Sequence, residues 1–142
     1  MLRYLLDTNI CIATIRNKPE AMRAAFNRHH SHMAISSVTV MELLYGVEVS
    51  AQAQRNLANV EGFIARLDVL DYDTPAAAHT AQIRAELTKA GTQIGPYDQM
   101  IAGHARSRGL VVVTNNTREF KRVRGLRIAD WLRGAGSRGA EA

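Results

Sequence analysis

Tyr4-Leu5-Leu6-Asp7-Thr8-Asn9 is the stretch that decides how this chain folds. A short apolar run stops on an acid, and a second apolar stretch, 10–15, follows at once. A buried strand that ends in Asp-Thr-Asn and turns into a helix sets its first polar side chains over the strand's carboxyl end. In open α/β sheets that rim is where ligands bind. The simpler role for Asp7, Thr8 or Asn9 is to cap the following helix. A functional role requires other acids at the same rim.

Outward from this point, short apolar runs alternate with longer helical patterns. A strand over 3–6 leads to a helix over 9–16, and Asn17-Lys18-Pro19 breaks it. Pro19 suits the opening of a second helix over 20–28. His29, His30 and His32 follow, with no Cys or acid at zinc-ligand spacing, so a solvated turn is expected. A strand over 33–36 precedes a helix over 38–50, with Ser37 as its expected cap. Leu57, Val60, Ile64 and Leu67 give 52–67 one apolar face at helical spacing. Val69-Leu70 is a third strand, and Asp71 to Pro75 begin a helix that runs over 76–89 and stops at Gly91. Gly95-Pro96-Tyr97-Asp98 opens another, with His104 on its apolar side as a packed core histidine. Leu110-Val111-Val112-Val113 has no alternation, so both its faces should be covered, as in a parallel sheet. A last short strand is expected over 126–128. Short strands between helices predict α/β architecture with a parallel sheet between helical layers.

Composition narrows the function. The 142 residues suit one domain, expected over 1–133, with a disordered Gly-, Ala-, Ser- and Arg-rich tail over 134–142. The net charge of +5 and pI of about 9.9 favour a polyanionic partner, nucleic acid ahead of an anionic membrane. One cysteine, Cys11, rules out an intrachain disulfide framework, and its apolar surroundings predict a buried thiol. No run reaches the roughly 18 apolar residues of a membrane helix. The chain enters its first strand without a cleavable apolar segment, so a cytoplasmic protein is expected.

Three more acids fall at telling places. Glu42 shares a helix stripe with Val38 and Tyr45, next to Met41 and Leu43. Burying that carboxylate unpaired is costly, although Thr39-x-x-Glu42 also matches a capping box. Asp98 lies in a first helical turn, where it could simply offset the dipole. Glu119 follows the strongest strand and could be an exposed loop acid. Brought together, such acids repel and must bind protons or a cation. Mg²⁺ takes oxygen ligands and keeps several waters, one of which can serve as nucleophile on a phosphate. An acidic pocket inside a basic protein is the electrostatic plan of a nuclease.

Four motifs in order carry a resemblance. They are Leu5-Leu6-Asp7-Thr8-Asn9; Glu42-Leu43 with Gly46; Tyr97-Asp98-Gln99-Met100-Ile101-Ala102; and Val113-Thr114-Asn115-Asn116 with Glu119-Phe120. Together they resemble PIN-domain ribonucleases and, more narrowly, VapC toxins of type II toxin–antitoxin modules. The likeness runs from the first strand to Trp131. It implies a three-layer α/β/α fold, a homodimer, and inhibition by a VapB antitoxin whose C-terminal segment enters the active site. It also implies RNA hydrolysis dependent on Mg²⁺ or Mn²⁺, leaving a 5′-phosphate and a 3′-hydroxyl. Structured RNA is the implied substrate, tRNA and the initiator tRNA anticodon region above all.

By position, Asp7, Glu42 and Asp98 match the family's three central acids, as catalytic and metal-binding residues. The fourth place lies between Asn116, where many PIN domains carry Asp, and Glu119, which could substitute. Thr8, Asn9, Thr114 and Asn116 would orient ligands or water. Arg84, Arg106, Arg118, Lys121, Arg122 and Arg124 are the candidate phosphate contacts. Two phosphatase-like alternatives fail on the residues. A dehalogenase-type phosphatase needs a second Asp where Asn9 stands, and a receiver needs an acidic pair that 3–6 lacks. The remaining alternative is a non-catalytic RNA- or partner-binding module. Acids at the rim argue against it, because they repel RNA unless a metal is bound.

Overall fold

The computed structural model describes residues 1–17 and 20–132. Its elements are β1 (Tyr4–Leu6), α1 (Thr8–Asn17), α2 (Glu20–His29), β2 (Met33–Ser36), α3 (Ser37–Glu48) and α4 (Ala53–Ile64). They continue with β3 (Asp68–Leu70), α5 (Thr74–Ala90), α6 (Pro96–Arg108), β4 (Val111–Val113), α7 (Thr117–Phe120) and β5 (Ile128–Ala129). The expected break at Lys18-Pro19 and the tail over 134–142 lie outside the described residues.

The five strands form one parallel sheet in the order β3-β2-β1-β4-β5. Tyr4, Leu5 and Leu6 pair with Val111, Val112 and Val113 on one side of β1, and β2 lies on the other. The chain winds outward from β1 through β2 to β3, then crosses back to β4. The carboxyl ends of β1 and β4 therefore flank the switch point of the topology, where a crevice opens.

Alternate side chains of each strand enter two separate cores. Tyr4, Leu6, Val111 and Val113 pack with Ile10, Met22, Leu43, Val60 and Phe63, beneath α1 to α4. Leu5 and Val112 pack on the other face with Ile83, Leu87, Ile101 and Phe120, beneath α5 to α7. This explains the run without alternation at 110–113: helices cover both faces. Each fully buried valine contributes about 1.5–3 kcal/mol of transfer free energy. Among the described residues no helix is long and apolar enough to cross a membrane.

Local expectations were met at most boundaries. Gly91 and Gly109 end α5 and α6 at φ of 68° and 66°, a left-handed conformation that glycine adopts without strain. Three details differ. The cap of α3 is Ser36, not Ser37, because Ser36 is still extended and its Oγ accepts from the Val38 amide at 3.1 Å. The last strand forms at Ile128–Ala129, two residues later than expected, where its backbone reaches Val112 and Val113. A short helix, α7, occupies 117–120, where no element was expected.

α5 and α6 pack closely because of one glycine. A Cβ built on Gly103 would stand 2.1 Å from Thr80 Oγ1 and 2.7 Å from the Thr80 amide. Backbone cannot yield as a flexible side chain can. Gly103→Ala should therefore destabilise the fold by about 1–3 kcal/mol. Gly62→Ala, on α4 with open space around it, should stabilise by about 0.5–1 kcal/mol. Urea denaturation of the two variants checks both signs.

Candidate active site

Asp7 ends β1 and is 1% exposed. Its amide donates to the Val113 carbonyl at 3.0 Å, holding the ends of β1 and β4 together. Its carboxylate has two partners. Oδ1 accepts from the Ile10 amide at 2.8 Å, so Asp7 does cap α1. Oδ2 accepts from Thr114 Oγ1 in a short hydrogen bond. Thr114 Oγ1 in turn accepts from the Asn116 amide at 2.8 Å, and Asn116 Nδ2 donates to Glu119 Oε2 at 3.0 Å. A relay of hydrogen bonds thus runs from Asp7 to Glu119.

Glu42 reaches the same rim from α3. Its Oε1 accepts from Thr8 Oγ1 at 2.6 Å, and Thr39 Oγ1 lies 3.1 Å from the same hydroxyl. Thr8 has one hydroxyl proton, committed to Glu42, so Thr39 is the donor to Thr8. The capping box open to Glu42 is absent, because Ser36 caps this helix. Asp98 lies half-buried in the first turn of α6.

These acids perturb one another. Burial pushes Asp7 from the ordinary 3.8 up to about 7, with Asp98 and Glu42 adding repulsion against the Thr114 and Ile10 hydrogen bonds. Burial also lifts Asp98 to about 6, helped by Glu119 and Glu42. Among the described residues no Lys or Arg figures in either shift. Dehydrated oxygen donors that repel and lack a counter-ion suit a hard divalent cation. Among the described residues no three His, Cys, Asp or Glu side chains come close enough to enclose an ion by themselves.

Other expectations sort cleanly. Thr8 and Thr114 are buried and bonded to the acids, whereas Asn9 is exposed and makes no side-chain hydrogen bond among the described residues. Cys11 is buried, and burial, with Asp7 and Glu42 nearby, pushes its thiol well above the ordinary range. In the histidine cluster, His30 is exposed, but His29 stacks on Trp131 with ring centroids 4.7 Å apart and His32 Nδ1 donates to the Met1 carbonyl at 2.6 Å. Arg84, Arg118, Lys121 and Arg124 are exposed. Arg122 donates to the Gln93 carbonyl at 3.0 Å. Arg106 is spent internally, on His79, Gln82 and the Arg124 carbonyl, which removes it from the candidate phosphate contacts.

One basic surface escaped the sequence reading. A cleft of about 880 Å³ between α1, α2 and α4 is lined by Arg16, Arg23, Arg55 and Arg66 beside Phe26 and Phe63, with no acid on its described wall. A smaller pocket of about 150 Å³ shares Ile15, Arg16 and Asn59 with it and reaches Glu42. Arg55 lies in the first turn of α4 and Arg66 in the turn that follows its end, and both line the cleft. No helical periodicity links Arg66 to Arg55, and Arg16 and Arg23 join them only through the tertiary fold.

The raised acids give stability a pH dependence. Below about pH 4 Asp7 is protonated in the folded and unfolded chain alike. From there to about pH 7 the unfolded chain ionises while the folded chain keeps its proton, so stability falls as pH rises. Without divalent ions, Asp7→Asn should raise Tm at pH 8 and leave it unchanged or lower at pH 4. Thermal melts in chelator at both pH values check this, and equal effects at both would remove the buried charge as cause.

A family model described as PIN domain matches residues 4–126. PIN-domain nucleases are in general dependent on a divalent metal. The chain is 68% identical over 131 residues to tRNA(fMet)-specific endonuclease VapC of Salmonella typhimurium, covering 92% of this chain and 99% of that one. It is 65% identical to the Shigella flexneri protein of the same name, with the same coverage. The crystal structure of DNA-bound VapBC from Salmonella typhimurium superposes with a TM-score of 0.91 at 68% identity, covering 92% of this chain and 99% of that one. With the motifs in order and the fold shared along nearly the whole length, the chain belongs to the PIN-domain family and, within it, to the VapC group.

Proposed function

We propose that this chain is the toxin of a toxin–antitoxin pair, a metal-dependent endoribonuclease that stops translation by cutting structured RNA. The observation that carries the reading is the set of mutually repelling carboxylates at the switch point, two of them raised to about 7 and 6 with no basic residue to offset them. The substrate we infer is initiator tRNA, since relatives at 68% and 65% identity are named tRNA(fMet)-specific endonucleases.

Asp7, Glu42, Asp98 and Glu119 would hold Mg²⁺, one or two of them directly and the others through its waters, with Mn²⁺ able to substitute. The bound ion would supply an activated water and stabilise charge on the phosphate. The chain's own residues do the rest. Thr114 and Ile10 fix Asp7's two oxygens, and Thr8 fixes Glu42. Asn116 turns Glu119 towards the site through its amide, so a neutral residue at 116 and an acid at 119 act as a unit. This is how Asn stands where many PIN domains carry Asp. RNA phosphates would lie on Arg118 and Lys121 at one side and on the arginine cleft at the other. An antitoxin of the VapB kind is the inferred partner, because the matching structure is a VapBC complex. A second copy is the other, a reading supported by the exposed Met41, Leu44 and Tyr45 on α3 and Val49 at its end.

Chelation by EDTA should abolish cleavage of tRNA, and Mg²⁺ or Mn²⁺ should restore it, leaving 5′-phosphate ends that sequencing can locate. Glu119→Gln should lower activity at limiting Mg²⁺, and Asn116→Asp should not. Full activity in chelator would sink the metal mechanism. RNA that is bound but never cut, whatever the ion, would favour a non-catalytic module.

Charge on the two basic surfaces is separable by salt. Each lost phosphate contact should reduce the slope of log affinity against log salt by about 0.7–0.9. Arg23→Ala with Arg66→Ala, and separately Lys121→Ala with Arg118→Ala, should each lower it by about 1.4–1.8. An unchanged slope for either pair would place the RNA off that surface. Antitoxin and RNA should weaken each other's binding by the same factor, since coupling is reciprocal.

A further inference from the structure

His104 is fully buried, and nothing in the chemistry above uses it. It lies on α6, the helix whose first turn holds Asp98, and its Nδ1 is 2.9 Å from Ser36 Oγ. Ser36 closes β2 and caps α3, accepting from the Val38 amide at 3.1 Å. These two contacts satisfy the hydroxyl in one arrangement. Oγ accepts from Val38, and its O–H donates to His104 Nδ1. The ring proton then sits on Nε2, which is buried and has no partner among the described residues. Tyr72 stands edge-on to the ring at 5.7 Å, and its amide donates to Ser37 Oγ at 3.0 Å. The start of α3 is therefore gripped twice, at Ser36 from α6 and at Ser37 from the residues after β3.

We propose that Ser36 and His104 are a positioning pair that locks the first turn of α3 to α6 and so sets Glu42 against Asp98. The activity it serves is the ribonuclease reading above; the positioning itself rests on the hydrogen bonds. Glu42 lies less than two turns beyond Ser36, and its side chain has one tether, Thr8, among the described residues. Thr39, between them, is buried against the same Thr8. Release of Ser36 leaves the Val38 amide without its cap and lets the turn that carries Thr39 fray. A carboxylate displaced by about 1 Å can cost on the order of a hundredfold in rate. Burial lowers the His104 pKa below the ordinary 6.5, which keeps the ring in the neutral form that accepts from Ser36.

Full-length Ser36→Ala, His104→Leu, the double variant and His104→Asn test this. The Asn amide oxygen can take the place of Nδ1 as acceptor. Three readouts are compared: hydrogen exchange at the Val38 amide, the Kd for Mn²⁺ without RNA, and kcat with KM on RNA. Both single variants should speed Val38 exchange about tenfold or more, weaken Mn²⁺ binding severalfold and lower kcat about tenfold with KM little changed. The double variant should be no worse than the worse single, since the two residues act as one unit. His104→Asn should restore most of the loss. Losses that add in the double variant, an Asn variant as damaged as Leu, or folded variants with unchanged kcat and Mn²⁺ affinity each overturn the pair and leave His104 as packing. If the wild-type chain does not cut RNA, the ribonuclease reading fails, while exchange and Mn²⁺ binding still decide the proposal.

Discussion

Asp7 carries its charge into a place with almost no water to stabilise it. The strand forces this. The chain must leave the centre of the sheet at Asp7, between β2 and β4, with both faces already covered by helices. What makes the position tolerable is hydrogen bonding, from the Ile10 amide on one oxygen and the Thr114 hydroxyl on the other. Each donor comes from the start of the next element or from the neighbouring strand end. Fold and site are therefore joined at a single carboxylate, and the residue that caps α1 is the one with the most strongly raised affinity for a proton or a cation among the rim acids.

The remaining acids arrive by the same geometry. Parallel strands end on one rim, and each following helix starts there. Glu42 comes from the helix after β2, Asp98 from the first turn of α6, and Glu119 from the short helix after β4. The Thr8 hydroxyl aims Glu42 and the Asn116 amide aims Glu119, so neutral groups do the work that a basic residue would undo by neutralising the site.

Much of this was readable in the chain. Apolar runs of three or four residues marked the strands, Gly91 and Gly109 marked helix ends, and the acid after Leu6 marked the rim. Asp7 also shows that capping takes only one of its oxygens, since Oδ1 accepts from the Ile10 amide while Oδ2 turns to Thr114 at the rim. What escaped has a common cause. The choice of Ser36 over Ser37 as cap depends on where the strand's extended backbone stops, which β2's pairing determines. The Thr8–Glu42 bond joins residues 34 apart, and the arginine cleft draws from three helices. Arg106 looked like its neighbours along the sequence and proved to be occupied across α5. Single-chain patterns report local geometry well, and partners distant in sequence only after the sheet order is known.

The sheet order also sets a time. β1 is made first, but its partner on one side is β4, and the hydroxyl that aims Asp7 lies 107 residues later in the chain. Contacts of such long range form late, because the loop they close must be ordered first. During synthesis, the first half of the chain can pair β1 with β2 while Asp7 still faces solvent without Thr114. A chain still on the ribosome therefore holds its first acid without the hydroxyl that fixes it. The rim acids come together only as the last strands dock, so the site is the last part of the fold to be assembled.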